Sequence, residues 1–427
     1  MKCAFFTLGC KVNQYESRAM AQGLEKYGFE CVPAGEEADV YIINSCTVTA
    51  ESDRKTRQAV RRFRNNHPHS IVVLTGCMPQ AFPDTADLLP QADVVTGNTD
   101  TGKLFAYIMQ FINTGSRVVA VNEHFVGEKF RGGTVSDFAE RTRAVVKIED
   151  GCNRFCTYCI IPHARGRVRS KSPEVLRQEL SAINAKGYAE VVLVGINLSA
   201  YGTDISSSLV EAVKIAAEFE SIKRIRLGSL EPDHITPEVI DGLSEIPKLC
   251  PQFHISLQSG CDRILKKMNR HYTTVEYEDL CTSLREKFPG ATLTTDVMVG
   301  FPGETDSDFG ISLDFVRKIG FEKVHVFPYS RRPGTPAASM DNQVENTVKQ
   351  HRAEIMADET EKIRQAFLLS QVGKTVEIIP EEHHRDEVKG YTENYIPVTV
   401  KGKAETGKII SVKITGVEGD SCTGEQI

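Results

Sequence analysis

The sequence predicts an α/β chain with an N-terminal parallel α/β domain, a central region of six β–α steps and a small C-terminal β-barrel. Three observations carry this. Short apolar runs alternate with helix-period runs over residues 1–125, and again, more regularly, over 144–340. The pattern then changes past the turn-rich RRPGTPAAS at 331–339 to closely spaced β-rich runs broken by Gly. Strands separated by helices build parallel sheets, whereas short strands separated by turns build barrels. With 427 residues, 41% hydrophobic and 25% charged, the chain can bury several cores, which excludes wholesale disorder.

In the first region CAFFTL (3–8), DVYIIN (39–44) and IVVLT (71–75) read as strands, with helices over roughly 15–27 and 51–66. GNTDTGK at 97–103 matches the first seven positions of a phosphate-binding loop. Leu104 replaces the hydroxyl residue that would bind magnesium, so the segment reads as a turn opening a helix. A polar, Gly-bearing linker is expected over 126–143. Strands follow near 144–148, 190–194, 223–228, 253–257, 292–299 and 323–327, with helices beginning near Pro173, Leu209, Pro237, Thr274 and Asp306. Such steps form a doubly wound sheet or an incomplete β/α barrel, and either binds ligands beyond the carboxyl ends of its strands. One polar helix is expected within the connecting segment 341–372, and TVEII, YIPVTVKG and IISVKITGV mark the β-domain at 373–427.

No apolar run approaches the ~18 residues of a membrane span, and the first residues lack a cleavage-type leader, so a cytoplasmic protein with no membrane partner is expected. The net charge of −6 leaves nucleic-acid contacts to local patches. In a reducing compartment the twelve cysteines must serve metal, redox or burial rather than a disulfide framework.

Two triplets stand out. EDGCNRFCTYCIIPHARGR places Cys152, Cys156 and Cys159 in a C-x3-C-x2-C loop just past a strand. Three thiolates so close can hold an iron–sulfur cubane with one iron left open. The competing use is a Cys3His zinc site completed by His163. Cys10, Cys46 and Cys77 lie 36 and 31 residues apart but share one setting: FFTLGC, YIINSC and VVLTGC. Each follows an apolar strand, and parallel strands bring their tips to one edge, where three thiols can converge. Buried packing cysteines are the alternative. The remaining six (Cys3, Cys31, Cys250, Cys261, Cys281 and Cys422) share no setting and read as structural.

The C-x3-C-x2-C loop, with Tyr158 before its last cysteine, resembles that of radical S-adenosylmethionine enzymes. LGCKVNQYES (8–17) and INSCTVTAESDRKTRQ (43–58) extend the resemblance to the methylthiotransferases, over essentially the whole chain. It implies a partial (β/α)6 radical-SAM barrel at 144–340, a C-terminal TRAM domain, and two 4Fe–4S clusters. One cluster would sit on Cys152, Cys156 and Cys159, the other on Cys10, Cys46 and Cys77. S-adenosyl-L-methionine on the open iron of the first would yield a 5′-deoxyadenosyl radical; the second cluster would carry the sulfur. Family-like segments at successive strand ends mark the cofactor pocket: Gly195 and Asn197, Ser229 and Glu231, Gln258 and Ser259, Gly300 and Pro302. No catalytic acid or base is identified.

CKVNQYES and CTVT resemble the branch that methylthiolates C2 of N6-threonylcarbamoyladenosine beside the tRNA anticodon. The same chemistry on isopentenyladenosine tRNA or on a ribosomal protein is the near alternative. A non-enzymatic, zinc-containing RNA-binding protein is the distant one. The implied partners are a tRNA anticodon stem-loop and an electron donor such as a flavodoxin or ferredoxin. Arg54, Arg57, Arg61 and Arg64 recur at helical spacing and suit phosphate contacts, though a charge run is equally a solvated helix face. Arg165, Arg167, Arg169 and Lys171 alternate, so an extended chain would point them to one side. The β-domain from Lys374 has seven basic and ten acidic residues, which leaves Lys401 and Lys403 in its one basic cluster. Tyr391 and Tyr395 are candidates for base stacking or for core packing.

Overall fold

A computed structural model describes residues 1–138, 142–384 and 386–427; part of the expected linker, at 139–141, lies outside the described residues. Two compact units emerge, and neither follows a single stretch of chain. The first comprises residues 1–135, 147–171 and 330–339; the second comprises 136–146, 172–329 and 340–427.

The first unit is built on a six-stranded parallel sheet of β1 (Lys2–Thr7), β2 (Glu30–Val32), β3 (Val40–Ser45), β4 (Ile71–Gly76), β5 (Val94–Thr96) and β6 (Val118–Ala120). Its spatial order is 2-1-3-4-5-6. Helices α1 (Lys11–Glu25), α2 (Ala50–Asn66), α3 (Cys77–Ala81), α4 (Thr85–Leu88) and α5 (Leu104–Thr114) connect the strands. β3 and β4 are buried at every position, which is why they read as unbroken apolar runs rather than alternating ones. Two separate apolar clusters flank the sheet, one with Tyr41, Ile43 and Leu74, the other with Val40, Ile42 and Val73. GNTDTGK folds into a 3-10 turn at Thr101–Lys103 that leads into α5.

The strand order turns back between β1 and β3, and at such a point loops diverge to leave a crevice beyond the strand ends. Cys10 follows β1, Cys46 follows β3 and Cys77 follows β4. The remaining pieces of this unit come from the centre of the chain: the ribbon of β8 (Glu149–Asp150) with β9 (Arg169–Ser170), and between them α6 (Ile161–Arg165). These follow β7 (Arg143–Lys147), all but the last residue of which belongs to the second unit.

In the second unit β7 pairs with β10 (Glu190–Val194), which pairs in parallel with β11 (Arg224–Leu227). β12 (Ser229–Leu230), β13 (Gln252–Ile255), β14 (Thr292–Val299) and β15 (Lys323–Pro328) continue in chain order, all parallel. The six long strands match the expected six steps of a partial barrel. Helices α7 (Pro173–Ala185), α8 (Leu209–Ala217), α9 (Pro237–Ser244), α10 (Asp262–Lys267), α11 (Thr274–Lys287) and α12 (Asp306–Ile319) alternate with them. Their starts are locally encoded: Ser172, Ser208, Thr236, Thr273 and Thr305 each accept a hydrogen bond from a first-turn backbone N–H.

After α13 (Asn346–Leu369), the strands β16 (Thr375–His384), β17 (Glu387–Thr392), β18 (Pro397–Lys401), β19 (Ile410–Glu418) and β20 (Ser421–Gln426) close into a barrel of order 16-17-18-20-19. Its core holds Ile378, Ile396, Val398, Val400, Val412 and Ile414, capped by Leu368 of α13.

Candidate metal centres and cofactor pocket

The three distant cysteines meet where β1, β3 and β4 end. Gly9, at φ +101°, lies so close to Cys46 that an added Cβ would stand 2.7 Å from the Cys46 Cβ and 3.0 Å from its Sγ. Gly76, at φ +96°, carries the chain into Cys77 with its α-carbon against Asn44 and Ser45. Only glycine holds such backbone without strain. Cys10 is exposed, while Cys46 and Cys77 are buried. Burial pushes the Cys77 thiol up to about 12, Arg165 opposes that shift, and the Cys46 and Cys10 sulfurs add to it. Burial also raises Cys46, again with Cys10 adding and Arg165 opposing. The three thiols therefore share one electrostatic environment.

The second triplet is local. Gly151, at φ +86°, brings the chain in under Arg167, whose carbonyl oxygen would lie 2.0 Å from an added Cβ. Cys152 N–H donates to Gly166 O at 3.0 Å and Cys159 N–H to Cys156 O at 2.9 Å, which closes the loop on itself. Arg154 N–H points at Cys152 Sγ, 3.5 Å away, a contact that favours a thiolate. Phe155 takes a positive φ of 50° and is exposed, with the Arg167 guanidinium 4.4 Å from its ring centre. Ala337 N–H donates to Thr157 O at 2.8 Å and ties the 330–339 segment to the loop. Among the described residues no three His, Cys, Asp or Glu side chains close around a single ion position, and His163 is exposed on α6. Both donor sets fit an iron–sulfur cluster: three thiols each, and an N–H aimed at a sulfur or a buried cation nearby.

A buried charged network joins the elements that bear the two triplets. Arg165, with no exposed surface, donates to Glu16 Oε1 at 2.6 Å, Glu16 Oε2 at 2.9 Å, Asp150 Oδ1 at 3.2 Å and Asn13 Oδ1 at 2.7 Å. Lys147 bridges Glu16 and Asp150 at 2.7 Å each, and Arg169 lies 3.4 Å from both Asp150 and Glu128. Asn13 in turn donates to Leu8 O and Ser45 O, bracing the turns that present Cys10 and Cys46. Arg332, also buried, reaches Asp53 at 2.5 Å and Thr47, next to Cys46, at 2.9 Å. The alternating basic run thus does not line one face. Arg165, Arg169 and Lys171 turn inward to carboxylates and Tyr15, and Arg167 alone is exposed, because only residues 169–170 are extended.

In the second unit, the expected pocket residues sit at successive strand ends. Gln258 is buried with φ +66°, and its side-chain oxygen has no hydrogen-bond partner. A strained backbone with a buried, orphaned acceptor is what a ligand-binding residue leaves when read alone, so this residue fits a bound cofactor. Glu231 is gripped by Arg270, and its own N–H donates to Ser199 Oγ at 2.7 Å. Asn197 is buried, Gly195 half-buried and Ser229 exposed. Ser259 Oγ accepts from Cys261 N–H at 3.3 Å. Gly300 N–H donates to Glu304 Oε2 at 2.7 Å, Pro302 is buried in the same turn, and Arg352 of α13 locks Glu304 at 2.7 Å.

Of the expected RNA contacts on α2, Arg57 is half-buried while Arg54 and Arg61 are exposed, and Arg54 pairs with Glu51 at 2.5 Å. Arg64 is held by Asp93 and the Gln91, Pro68 and Ser70 carbonyls. Lys401 and Lys403 are exposed at the end of β18. Tyr391 and Tyr395 stack on each other at 4.7 Å, with the Arg143 guanidinium about as near to both rings and Arg226 over Tyr395 at 4.7 Å. Their faces are occupied by packing. Cys3 and Cys31, read as unrelated, are register partners on β1 and β2 with sulfurs 3.2 Å apart.

Residues 146–316 match the Radical SAM superfamily and residues 2–97 match the Uncharacterized protein family UPF0004. The chain is 40% identical over 422 residues to the threonylcarbamoyladenosine tRNA methylthiotransferase MtaB of Bacillus subtilis, covering 96% of this chain and 93% of that protein. It belongs to the radical S-adenosylmethionine methylthiotransferase family. The MtaB protein of Thermotoga maritima is 38% identical, covering 99% and 96% of the two chains. A tRNA-2-methylthio-N(6)-dimethylallyladenosine synthase of Pelotomaculum thermopropionicum is 35% identical, covering 99% and 97%. In fold, the chain resembles the radical S-adenosylmethionine methyltransferase TsrM of Kitasatospora setae (TM-score 0.58, 14% identity, 79% and 74% of the two chains). Methylthiotransferases are enzymes that use S-adenosylmethionine and two 4Fe–4S clusters. Sequence reasoning missed Asn13, Glu16 and Asp150 of the buried network, although Asn13 and Glu16 stand inside the CKVNQYES motif.

Proposed function

We propose that this chain adds a methylthio group to C2 of N6-threonylcarbamoyladenosine beside the tRNA anticodon. The observation that carries the reading is that both cysteine triplets belong to one compact unit and are joined through Arg165, Glu16 and Asp150. The names of the relatives with 37–40% identity supply the substrate. Cys152, Cys156 and Cys159 hold one cluster and Cys10, Cys46 and Cys77 the other.

Bound there, the clusters and S-adenosylmethionine supply one-electron cleavage, hydrogen abstraction from an unactivated C–H and the sulfur to be transferred. The chain's own residues bind and orient. Gln258, with Gly195, Asn197, Ser229, Glu231, Ser259, Gly300 and Pro302, lines the cofactor pocket, and Arg270 fixes the Glu231 carboxylate. Arg54, Arg57, Arg61, Lys401 and Lys403 contact RNA phosphates, with Arg64 anchoring its helix end. A small electron-transfer protein reduces the clusters, and the enzyme works in the cytoplasm. Among the described residues no helix is long and apolar enough to cross a membrane.

The test is nucleoside mass spectrometry of tRNA from a strain deleted for this gene. Loss of the methylthio group from threonylcarbamoyladenosine alone is expected. Loss from isopentenyladenosine instead would move the substrate to that of the dimethylallyladenosine relatives, and unchanged tRNA nucleosides would exclude both.

A further inference from the structure

Arg165 is six residues past the last cysteine of the radical loop, yet its guanidinium donates to Asn13 and Glu16 of α1, the helix that begins just after Cys10. Two links lead from here to the other triplet, one through the Arg165 side chain and one through the backbone carbonyl of the residue before it. Asn13 Oδ1 accepts from Arg165 Nη2 at 2.7 Å and lies 3.7 Å from Cys10 Sγ, while the Asn13 amide braces Ser45, the residue before Cys46. On the other side, the carbonyl of Ala164 holds Asn98 Nδ2 at 2.7 Å, and that amide stands 4.0 Å from Cys77 Sγ. The guanidinium is fully buried, and its Nε has no partner, so two of its nitrogens carry the whole set of contacts. Glu16 and Asp150 face it from α1 and β8, and Lys147 and Arg169 stand behind these carboxylates.

A cluster on three thiolates gains negative charge on reduction, and in a dry site a nearby cation favours the reduced form. We propose that Arg165 is a positioning residue for the auxiliary centre: it fixes the Asn13 brace and raises the reduction potential of a cluster held by Cys10, Cys46 and Cys77. The proposal rests on the assignment of those three ligands. It also explains why a residue of the radical segment is buried against helix α1: the charge that tunes the sulfur-bearing centre is delivered by the chain that forms the other one.

The experiment uses the full-length chain with Cys152, Cys156 and Cys159 replaced by Ala, so that one cluster remains. After anaerobic reconstitution, iron is counted and the cluster is titrated with dithionite under electron paramagnetic resonance. Arg165→Gln should lower the reduced-to-oxidised ratio at a fixed potential at least tenfold, about 59 mV for one electron. Arg165→Lys, which keeps the charge, should stay within about threefold of the parent by the same conversion. Glu16→Gln removes an anion and should shift the ratio the opposite way, and Arg165→Gln with Glu16→Gln should return it toward the parent. A role in folding alone would not reverse sign in this manner. If Arg165→Gln does not hold iron, the Arg165→Lys and Glu16→Gln arms decide. A Glu16→Gln ratio equal to the parent's, or an Arg165→Gln protein that holds iron and titrates like the parent, overturns the proposal. A parent that binds no iron at all overturns the ligand assignment and the proposal with it.

Discussion

Replacing Gly76 by alanine tests whether strand-end backbone, and not merely the presence of a thiol, builds the auxiliary centre. Gly76 has φ +96° and ψ −152°, a region open in practice only to glycine. Forcing a side chain to hold it costs about 1–3 kcal/mol. The new Cβ would also stand 2.5 Å from Asn44 Oδ1, 2.6 Å from Ser45 O and 2.8 Å from Ser45 N. Two of these are backbone atoms of β3, in register with Gly76 itself, so they yield only if the sheet moves. Overpacking of this kind adds about 1–3 kcal/mol. The sum of roughly 2–6 kcal/mol lies below most of the roughly 5–15 kcal/mol range of domain stability, so the protein should still fold, at reduced stability. Cys77, the next residue, must shift. Iron after reconstitution should therefore fall from about eight per chain toward about four, with loss of stability in urea. Gly115→Ala is the control. That glycine caps α5 at φ +64° with nothing within 4 Å of an added Cβ, so it should lose only about 1–2 kcal/mol and no iron. Equal stability loss in the two variants, with full iron in both, would refute the reasoning.

Arg332→Ala strands the buried Asp53 carboxylate and should cost about 3–5 kcal/mol in urea unfolding. Adding Asp53→Asn should recover part of that loss. Asp308 is held well below the usual carboxylate range, first by Arg263 and then by Thr305. Its contribution to stability is complete above pH ~4 and disappears as pH falls through its depressed folded value. Thermal melts of Asp308→Asn should lose this acid-side dependence and match the parent more closely at low pH than at pH 7. Finally, Arg57→Gln with Arg61→Gln should weaken tRNA binding and flatten its salt dependence by about one to two phosphate contacts. An unchanged slope in a filter-binding titration would return these residues to an ordinary solvated helix face.

The two regular α/β regions were legible because their signals are local. α2, α7, α8, α9, α11 and α12 each start on their own Ser or Thr cap, and buried parallel strands read as apolar runs. The terminal barrel was only partly legible. VYIINS and IVVLTG of the N-terminal sheet announce themselves, but β20 of the barrel, SCTGEQ, has almost no apolar character, and its pairing with β18 and β19 is what makes it a strand. The arginines show the same limit. Arg54 and Arg64 look alike in the sequence, yet one is on the surface with Glu51 and the other is clasped by Asp93 and three carbonyls.

The sequence by itself determined the chemistry available to this protein. A C-x3-C-x2-C loop is complete within eight residues, and three cysteines each following an apolar run need only a parallel sheet to meet. What the tertiary structure decided is the company those thiols keep. Whether Arg165 lies on an RNA surface or in a dry network with Glu16, Asp150 and Asn13 depends on partners 15 to 152 residues away, and no local pattern records them. The physical reason is that cysteine spacing and strand propensity act over a few residues, whereas burial and the field at a buried charge are set by every element that packs around it.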